Sequence, residues 1–325
     1  MRCGSGIVNL SDGACCTMRM DVAAQTDVGR RKRHNEDFFG VFRKEDIPEC
    51  HLIKEGALLC VADGLGGHLA GDIASKLAVS LMKETLKQPP PKPADNSGNG
   101  DTALMSVLQA GVLRANESIF RANKDNELIE TGRPMGTTLL AVLVMPGKAF
   151  ICNVGDSRCY HFRRGELVSR TEDHSWVEEQ VKLGLMSESE AQSDARKNLV
   201  TRSIGTSPEV QVDTYLWQVL PGDMLLLCTD GLVNMLKDSE IAEEFQRTAS
   251  PAEIAQCLVA RANANGGKDN ITVIVADVNP SRSAIAQRRI RSFFRRHGAG
   301  LLWFLFAVLY GLACFGAGYF IALRK

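Results

Sequence analysis

The sequence predicts a mixed α and β domain over residues 21–279, followed by one transmembrane helix over residues 298–323. Short apolar runs that stop abruptly at Asp-Gly are typical of buried β-strands, because glycine marks the turn that ends them. Two longer stretches, at about 71–86 and 102–124, have the apolar spacing of helices. The C-terminal stretch contains no charged side chain. These patterns are compatible with α+β layering.

The remaining elements follow one another in the same mixed order. Further strands are expected near 138–144, 149–154, 158–163, 210–219 and 223–229, and further helices near 238–247 and 251–264. A polar segment rich in Glu, Ser and Gln occupies residues 175–198. The proline-rich residues 87–101 read as a solvated connector. Residues 1–20 lack periodicity and an apolar signal region, so they are expected to be a flexible tail.

Two segments, residues 58–65 and 226–232, nearly repeat each other. Each is a short apolar run that ends in Asp-Gly, and each is therefore predicted to be a buried strand. Asp63 and Asp230 then lie at strand ends, on the rim of a core. A single Asp-Gly after a strand is usually only a turn, so a functional interpretation requires further polar groups at the same edge.

Further carboxylates lie beside apolar strands in mirrored order, with the acid first. Glu36 and Asp37 precede the apolar run 38–42, and Asp269 precedes the run 271–275. If these strands share one core, their carboxylates can gather at one edge. Crowded carboxylates repel one another and are costly to desolvate unless a cation pairs them. Oxygen-only clusters suit hard divalent ions such as Mg²⁺ or Mn²⁺.

A glycine-rich stretch, residues 63–68, leads into the first helical pattern, and such a loop can cradle a phosphate. It is not a P-loop, because no Gly-Lys-Ser/Thr follows, and it lacks the spacing of a dinucleotide fingerprint. His68 is interpreted as a loop or capping residue rather than a ligand. The basic run 30–34 is of a kind that usually forms a solvated face or a nucleic-acid patch. Its position directly before Asn35-Glu36-Asp37 favours a phosphate-facing role.

Several short motifs occur in a fixed order along the chain. They are Thr26-Asp27-Val28-Gly29, Asn35-Glu36-Asp37, Val61-Ala62-Asp63-Gly64 with Gly66-Gly67-His68, Met135-Gly136-Thr137-Thr138, Val154-Gly155-Asp156-Ser157-Arg158, Asp173-His174-Ser175, Asp230-Gly231-Leu232 and Lys268-Asp269-Asn270-Ile271-Thr272-Val273. In this order they resemble the bacterial form of the metal-dependent, type-2C (PPM) serine/threonine protein phosphatases. The resemblance covers about residues 22–278. It implies two packed antiparallel sheets flanked by helix pairs, a four-layer sandwich, with residues 175–198 as a flap beside the active site.

The resemblance implies a two-metal centre that uses Mg²⁺ or Mn²⁺. Asp63 is expected to bridge both ions, and the Gly64 carbonyl with water-mediated contacts near Asp37 is expected to serve one of them. The other ion is expected at three carboxylates: Glu36, Asp230 and Asp269. The implied reaction is hydrolysis of phosphoserine and phosphothreonine in proteins by attack of a metal-bridging hydroxide, since two cations stabilise such an in-line displacement. A convincing Ser-His-Asp or Cys-His set is not evident in the sequence.

Lys32 occupies the position at which the family usually has a phosphate-binding Arg, four residues before the Glu of Asn-Glu-Asp. Lysine supplies charge without the bidentate fork of arginine, so the phosphate contact is expected to be weaker or shifted to Arg31 or Arg33. The expected catalytic residues are therefore Asp63, Asp37 and Lys32.

Two further positions depart from the family pattern. Leu65 stands where many members have a histidine that is proposed to protonate the leaving group, which leaves that role to a metal-bound water. Asn234 stands where many members have a third-metal aspartate. Asp156 remains as a ligand for such a third ion, but with one charge less the site is expected to be more weakly occupied.

Composition and charge limit the partners. The chain of 325 residues is 45% hydrophobic and can bury a large core. Residues 281–325 carry eight Lys/Arg and no Asp/Glu, which leaves 30 basic against 38 acidic side chains, a net charge of −8, in the rest. So acidic a globular part argues against nucleic-acid binding. The ten Cys form no CxxC pair, which indicates reduced thiols in a reducing compartment.

The C-terminal stretch is predicted to anchor the protein in a membrane. Residues 298–323 are long enough, at about 1.5 Å per residue, to cross a hydrocarbon core of roughly 30 Å. The preceding basic linker, residues 280–297, includes five Arg between 288 and 297, so the positive-inside rule places the phosphatase domain in the cytoplasm. A buried core helix is the alternative for this stretch. The sequence therefore predicts a membrane-anchored phosphatase acting on phosphoproteins, opposed by a Ser/Thr kinase; a catalytically silent phosphoprotein-binding module and a tail-anchored scaffold are the alternatives.

Overall fold

The computed structural model describes residues 18–280, with gaps at 48, 51, 54, 67–68, 89–99, 131, 133 and 248–249. His68, most of the proline-rich connector, nearly all of the expected N-terminal tail and the segment predicted to span a membrane lie outside the described residues. In the part of the chain that is described, no helix is long and apolar enough to cross a bilayer.

The described residues form twelve strands and seven α-helices. The strands are β1 (Met20–Asp27), β2 (Phe38–Arg43), β3 (Ala57–Ala62), β4 (Gly64–Leu65), β5 (Gly136–Thr137), β6 (Leu139–Met145), β7 (Lys148–Val154), β8 (Arg158–Arg163), β9 (Glu166–Arg170), β10 (Asp213–Gln218), β11 (Met224–Cys228) and β12 (Ile271–Val278). The helices are α1 (Leu69–Thr85), α2 (Gly100–Asp125), α3 (Trp176–Lys182), α4 (Glu188–Ser193), α5 (Asp230–Val233), α6 (Asp238–Gln246) and α7 (Pro251–Ala264). A short 3₁₀ turn, Lys44–Asp46, follows β2.

Two five-stranded antiparallel sheets pack face to face. One has the order β1-β12-β11-β8-β9 and the other β10-β7-β6-β3-β2. Apolar side chains of both sheets, such as Leu59, Ile151 and Ile274, fill the space between them. Helices α1 and α2 cover the outer face of the second sheet, and α5, α6 and α7 cover the outer face of the first. The layers are therefore helix, sheet, sheet and helix, an α+β fold with antiparallel sheets.

Helix α7 illustrates how local sequence sets an element's boundaries. Ser250 caps the helix by accepting a hydrogen bond from the N–H of Glu253, whose side chain accepts from the N–H of Ser250 in return. Pro251 suits the first turn, where its missing N–H leaves no intrahelical bond unmade. Ile254 and Leu258, four residues apart, are buried against the first sheet.

Some elements are not evident in the sequence pattern. The edge strand β9 is mostly exposed and therefore lacks a run of buried apolar residues. The four-residue helix α5 is too short to have a period. The polar segment 175–198, expected to act as a flap, contains the short helices α3 and α4. Side-chain contacts with the rest of the fold, rather than local propensity, hold such elements.

Strand register brings the strand-end carboxylates to one edge of the molecule. In the first sheet Cys228 lies opposite Val273 on one side and Arg158 on the other. Asp230 follows β11, whereas Asp269 precedes β12 and Asp156 precedes β8, so all three lie at the same end of this sheet. In the second sheet Phe38 lies opposite Ala62, which places Asp37 and Asp63 side by side beyond that end. At the far end of the first sheet, Met20 lies opposite Val278.

Candidate metal centre

Asp63 lies at the end of the buried strand β3, where hydrogen bonds fix its backbone. Its N–H donates to Thr138 Oγ1 at 2.9 Å. Its carbonyl oxygen accepts from the N–H of Thr138 at 2.8 Å and from the Thr137 hydroxyl at 2.9 Å. Because two adjacent residues hold the backbone on both sides, the direction in which the Asp63 carboxylate leaves the strand is fixed.

Asp37 is a buried carboxylate, with only 5% of the residue exposed. Its Oδ2 accepts a hydrogen bond from Thr229 Oγ1 at 2.8 Å, whereas Oδ1 is buried without a hydrogen-bond partner in the described part of the chain. Burial raises the pKa of Asp37 to about 7; hydrogen bonds from Thr272 and Thr229 oppose the rise, and the charges of Asp230 and Asp269 add to it. A bound cation would supply the missing partner of Oδ1.

Asp230 lies beside Asp63. Burial, followed by the charge of Asp269, raises its pKa to about 6. Asn234 donates from Nδ2 to Asp230 Oδ2 at 3.0 Å, but Oδ1 is buried and no donor reaches it among the described residues. The Asp63 carboxyl comes within hydrogen-bonding reach of Asp230, and burial together with its acidic neighbours raises the pKa of Asp63 well above the ordinary range. Two carboxylates so placed need either a shared proton or a cation.

Asp156 completes the acidic group and is itself buried, with 6% of the residue exposed. Burial, and then the charges of Asp230 and Asp173, raise its pKa well above the ordinary value, with Arg158 opposing the rise. Arg158 is itself engaged by Asp173, through a bidentate pair of 2.7 Å hydrogen bonds. Its charge is therefore already matched, which leaves Asp156 available for a cation.

Lys32 and Asp269 form an ion pair at the mouth of the site. The Lys32 ammonium lies 2.6 Å from Asp269 Oδ1, and 43% of the lysine side chain is exposed. Partial burial lowers the pKa of Lys32, but the hydrogen bond and charge of Asp269 outweigh it, so this pKa lies above its ordinary value. Lys32 is thus a fixed cation that remains open to a ligand from solvent.

Glycines allow Glu36 to approach β4 and α1 closely. A Cβ on Gly64 would lie 2.3 Å from the carbonyl oxygen of Gly71 and 2.7 Å from that of Glu36. A Cβ on Gly71 would lie 2.8 Å from Glu36 Oε2. Ser75 in α1 donates to the same Glu36 carbonyl at 2.7 Å. Any larger residue at either glycine would push Glu36 away from the other carboxylates.

The donor chemistry of this edge fits hard divalent cations. The residues that the resemblance implies as metal ligands all lie at this edge of the two sheets: Glu36, Asp37, Asp63, Gly64, Asp156, Asp230 and Asp269. All of their donors are oxygens, and two of the carboxylate oxygens are buried without a donor. Among the residues described, no three His, Cys, Asp or Glu side chains are already arranged as a metal cage.

Comparison with known proteins identifies the family. A family model described as protein phosphatase 2C matches residues 30–264. The chain belongs to the protein phosphatase 2C family. It is 36% identical over 266 residues to the serine/threonine phosphatase stp of Listeria innocua, an alignment covering 80% of this chain and 96% of the relative.

Solved structures of phosphatases agree with this family. The serine/threonine phosphatase of S. agalactiae is 32% identical, has a TM-score of 0.67 and matches over 80% of this chain and 99% of its own. The catalytic domain of the phosphatase PstP, solved with two manganese ions, is 32% identical with a TM-score of 0.62, over 81% of this chain and 99% of its own. The chain is therefore a metal-dependent serine/threonine phosphatase, of a family that uses Mg²⁺ or Mn²⁺.

Several polar residues around the centre were not predicted as site residues. Thr229 and Asn234 bind the carboxylates directly, as described above, and Asp173 holds Arg158. Asn270 binds the loop that carries Lys32 and Glu36. These residues lie close in sequence to predicted site residues, above all Asp230 and Asp269, so the motifs indicated the right segments of the chain. The motifs did not indicate which side chain of each segment would bind other protein groups rather than a metal ion.

A cavity of about 530 Å³ opens beside the centre. Asp156 and Asp230 line it, together with residues of the flap segment, among them Val177 and Glu178. Residues of the α5–α6 segment, including Asn234 and Asp238, also line it. A protein segment entering this space would contact the flap while its reacting group lay at the carboxylates.

Proposed function

We propose that this chain hydrolyses phosphoserine and phosphothreonine in proteins at the carboxylate edge of its two sheets. The proposed metal-binding residues are Glu36, Asp37, Asp63, Gly64, Asp230 and Asp269, with Asp156 as a weaker, third-ion ligand. The observation that carries the proposal is the meeting of four acidic residues with raised pKa values, Asp37 and Asp63 from one sheet and Asp156 and Asp230 from the other. Such a group is costly unless cations compensate it.

The cations, when bound, lower the pKa of water and polarise the phosphoryl group. The chain's own residues position the reactants. Lys32, held by Asp269 and open to solvent, offers its ammonium to a phosphoryl oxygen as a point charge. Thr229 holds Asp37 Oδ2, which leaves Oδ1 as an acceptor for a cation or for a water molecule. Asp63 is directed inward by the backbone bonds described above.

Turnover of a phosphothreonine peptide by the full chain tests this function. We expect phosphate release in Mn²⁺ or Mg²⁺ and its loss after chelation, with recovery on adding the ion back. A matched phosphotyrosine peptide serves as the control substrate and should be hydrolysed much more slowly. Tight binding of the phosphothreonine peptide without turnover in either ion would contradict the proposal and indicate a silent binding module.

We infer that residues 298–323 span a membrane and hold the enzyme at its cytoplasmic face. A Ser/Thr kinase is the expected opposing enzyme in signalling. The uncharged length of this segment and the five Arg that precede it support the inference. The position of the C-terminal end of the domain suits a membrane anchor. Its last strand ends at Val278, at the end of the sheet opposite the carboxylate edge, so an anchor there leaves that edge open to phosphoproteins.

Fractionation of the full chain tests the anchor. We expect the protein to remain with membranes through high salt and carbonate, and a chain truncated after residue 285 to be released with its peptide turnover unchanged. Extraction of the full chain by carbonate would contradict a spanning helix. Loss of peptide hydrolysis in a folded, truncated chain would show that the C-terminal segment belongs to the catalytic unit.

A further inference from the structure

His174 is a buried histidine whose ring binds the backbone next to Asp156. Only 3% of its side chain is exposed. Its Nδ1 accepts a hydrogen bond from the N–H of Gly155 at 3.1 Å, and its own backbone N–H donates to the Gly155 carbonyl at 3.0 Å. Because Gly155 directly precedes Asp156, these two bonds fix the peptide from which the Asp156 carboxylate departs.

Gly155 has little freedom to compensate for a loss of these bonds. Its φ is +110°, in the region that favours glycine, and a Cβ there would lie 2.5 Å from the Thr138 side chain. Thr138 in turn binds both the Asp63 backbone, at 2.9 Å, and the Ser157 hydroxyl, at 2.8 Å. The Asp156 loop is therefore held between the Asp63 strand end on one side and His174 on the other.

The other side of the His174 ring faces Asp213, at the beginning of β10. With Nδ1 acting as acceptor, Nε2 carries the proton and donates to Asp213 Oδ2 at 3.1 Å. Asp213 Oδ1 accepts from Arg202 Nη1 at 2.9 Å, and Arg202 lies just after the flap segment. The carbonyl of His174 also accepts from the N–H of Thr201, at 2.8 Å. His174 thus joins Gly155 to the segment that follows the flap, through its backbone carbonyl and through the ring by way of Asp213.

We propose that His174 is a positioning residue for the phosphatase reaction, which fixes the Asp156 carboxylate through Gly155 and holds the flap in register with it. The inference rests on the proposed role of Asp156 as a metal ligand. The cavity of about 530 Å³ explains why such a link matters, since Asp156 and the flap residues Ser175 and Val177 all line it. Binding of a substrate segment in the cavity and binding of an ion at Asp156 then both depend on His174 and its hydrogen bonds.

Two variants separate the two sides of the ring. His174→Asn keeps a polar atom near the position of Nδ1, so it can still accept from Gly155 but loses Asp213. His174→Gln reaches the position of Nε2 and keeps Asp213, but leaves the Gly155 N–H without an acceptor. We expect His174→Gln to lower kcat about 10–100-fold, the usual effect of losing a group that orients a metal ligand, and to weaken Mn²⁺ binding measured by calorimetry. His174→Asn should retain most of both.

His161→Asn is the matched control, because His161 is the second buried histidine with an aspartate partner. Its Nε2 lies 2.8 Å from Asp223 Oδ2, and both side chains are 2% exposed. It lies in β8 towards the end of the sheet away from the carboxylates, opposite Leu225. This variant should lower the melting temperature while leaving kcat, KM and Mn²⁺ binding unchanged. An equal loss of kcat in His174→Gln and in His161→Asn would overturn the proposal.

A double-mutant cycle with Asp156→Asn decides whether His174 acts through Asp156. If it does, His174→Gln should change kcat less than about twofold in the Asp156→Asn background, because coupled residues are not additive. If the double variant instead lowers kcat by the product of the two single effects, the role inferred for His174 is overturned, whereas the proposed function is not. An Asp156→Asn variant with unchanged kcat and Mn²⁺ binding would overturn the proposed role of Asp156 as well. Should His174→Gln fail to fold, His174→Ala serves in the same cycle, since it too removes the Nδ1 acceptor of the Gly155 N–H.

Discussion

The side-chain oxygen of Asn270 accepts a hydrogen bond from the backbone N–H of Glu36 at 2.8 Å, across 234 residues of chain. The amide nitrogen of Asn270 donates to the carbonyls of Val28 and His34, at 3.0 and 2.9 Å. A single buried amide thereby satisfies three backbone groups of the loop that carries Lys32. The last motif of the sequence holds the first one in place, beside Asp269.

Asn270→Ala should reduce both stability and substrate binding. It leaves the Glu36 N–H without its acceptor, which costs about 1–3 kcal/mol in a buried site, and it releases the loop that holds Lys32. We expect a lower free energy of unfolding in urea and a raised KM for a phosphopeptide. Asn265→Ala is the control, because Asn265 makes one exposed hydrogen bond, to the Met235 carbonyl. Equal KM values for the two variants would contradict the loop-holding role of Asn270.

Asp63→Asn should have opposite effects on activity and on metal-free stability. Loss of the proposed bridging carboxylate should lower kcat by more than about 100-fold, because losing a group that only orients a metal ligand already costs about 10–100-fold. Without metal, the variant should be more stable by about 1 kcal/mol, or roughly 2–4 °C in melting temperature, because one of several crowded, mutually repelling acids is removed. Kinetics with Mn²⁺ and calorimetry in chelator measure the two effects. Asp21→Asn, on the exposed side of β1, should change neither quantity.

Neutralising Lys32 should act mainly on KM. Lys32→Met removes the ammonium that the structure leaves open to a phosphoryl group, so KM should rise with a modest fall in kcat if the contact is made in the ground state. Lys32→Arg should keep or lower KM, because a guanidinium can bind phosphate oxygens bidentately. Unchanged steady-state kinetics in both variants would transfer the phosphate contact to Arg31 or Arg33.

Asp223 should contribute stability that depends on pH. Burial would raise its pKa, but hydrogen bonds from Arg163, the Leu220 N–H and His161 outweigh burial, so its pKa lies below the ordinary value of 3.8. The contribution is then fully present above pH 3.8 and is lost as the pH falls through the lower, folded-state value. Asp223→Asn should therefore lower the free energy of unfolding at pH 7, by about 1–3 kcal/mol. The difference from the parent protein should shrink near pH 3 in urea titrations; a constant difference would contradict this origin.

The sequence by itself determined the family and most of the regular elements. Apolar runs and helical periods are local, so strands such as β8 and helices such as α7 could be located with nearly the observed bounds. The resemblance carried by the ordered motifs implied the proposed ligand residues, and an Asp-Gly after an apolar run is placed at a strand end by the strand itself. The uncharged stretch 298–323 remains a prediction of this local kind.

Only the tertiary structure decided which polar groups support the carboxylates. Asn270, His174 and Thr229 act on partners 19 to 234 residues away in sequence, and no local pattern specifies such distant pairs. The raised pKa values of Asp37 and Asp230 are likewise a property of the assembled edge. Burial and like charge shift the ionisation of a carboxylate only once two sheets have brought the acids together and excluded water from between them.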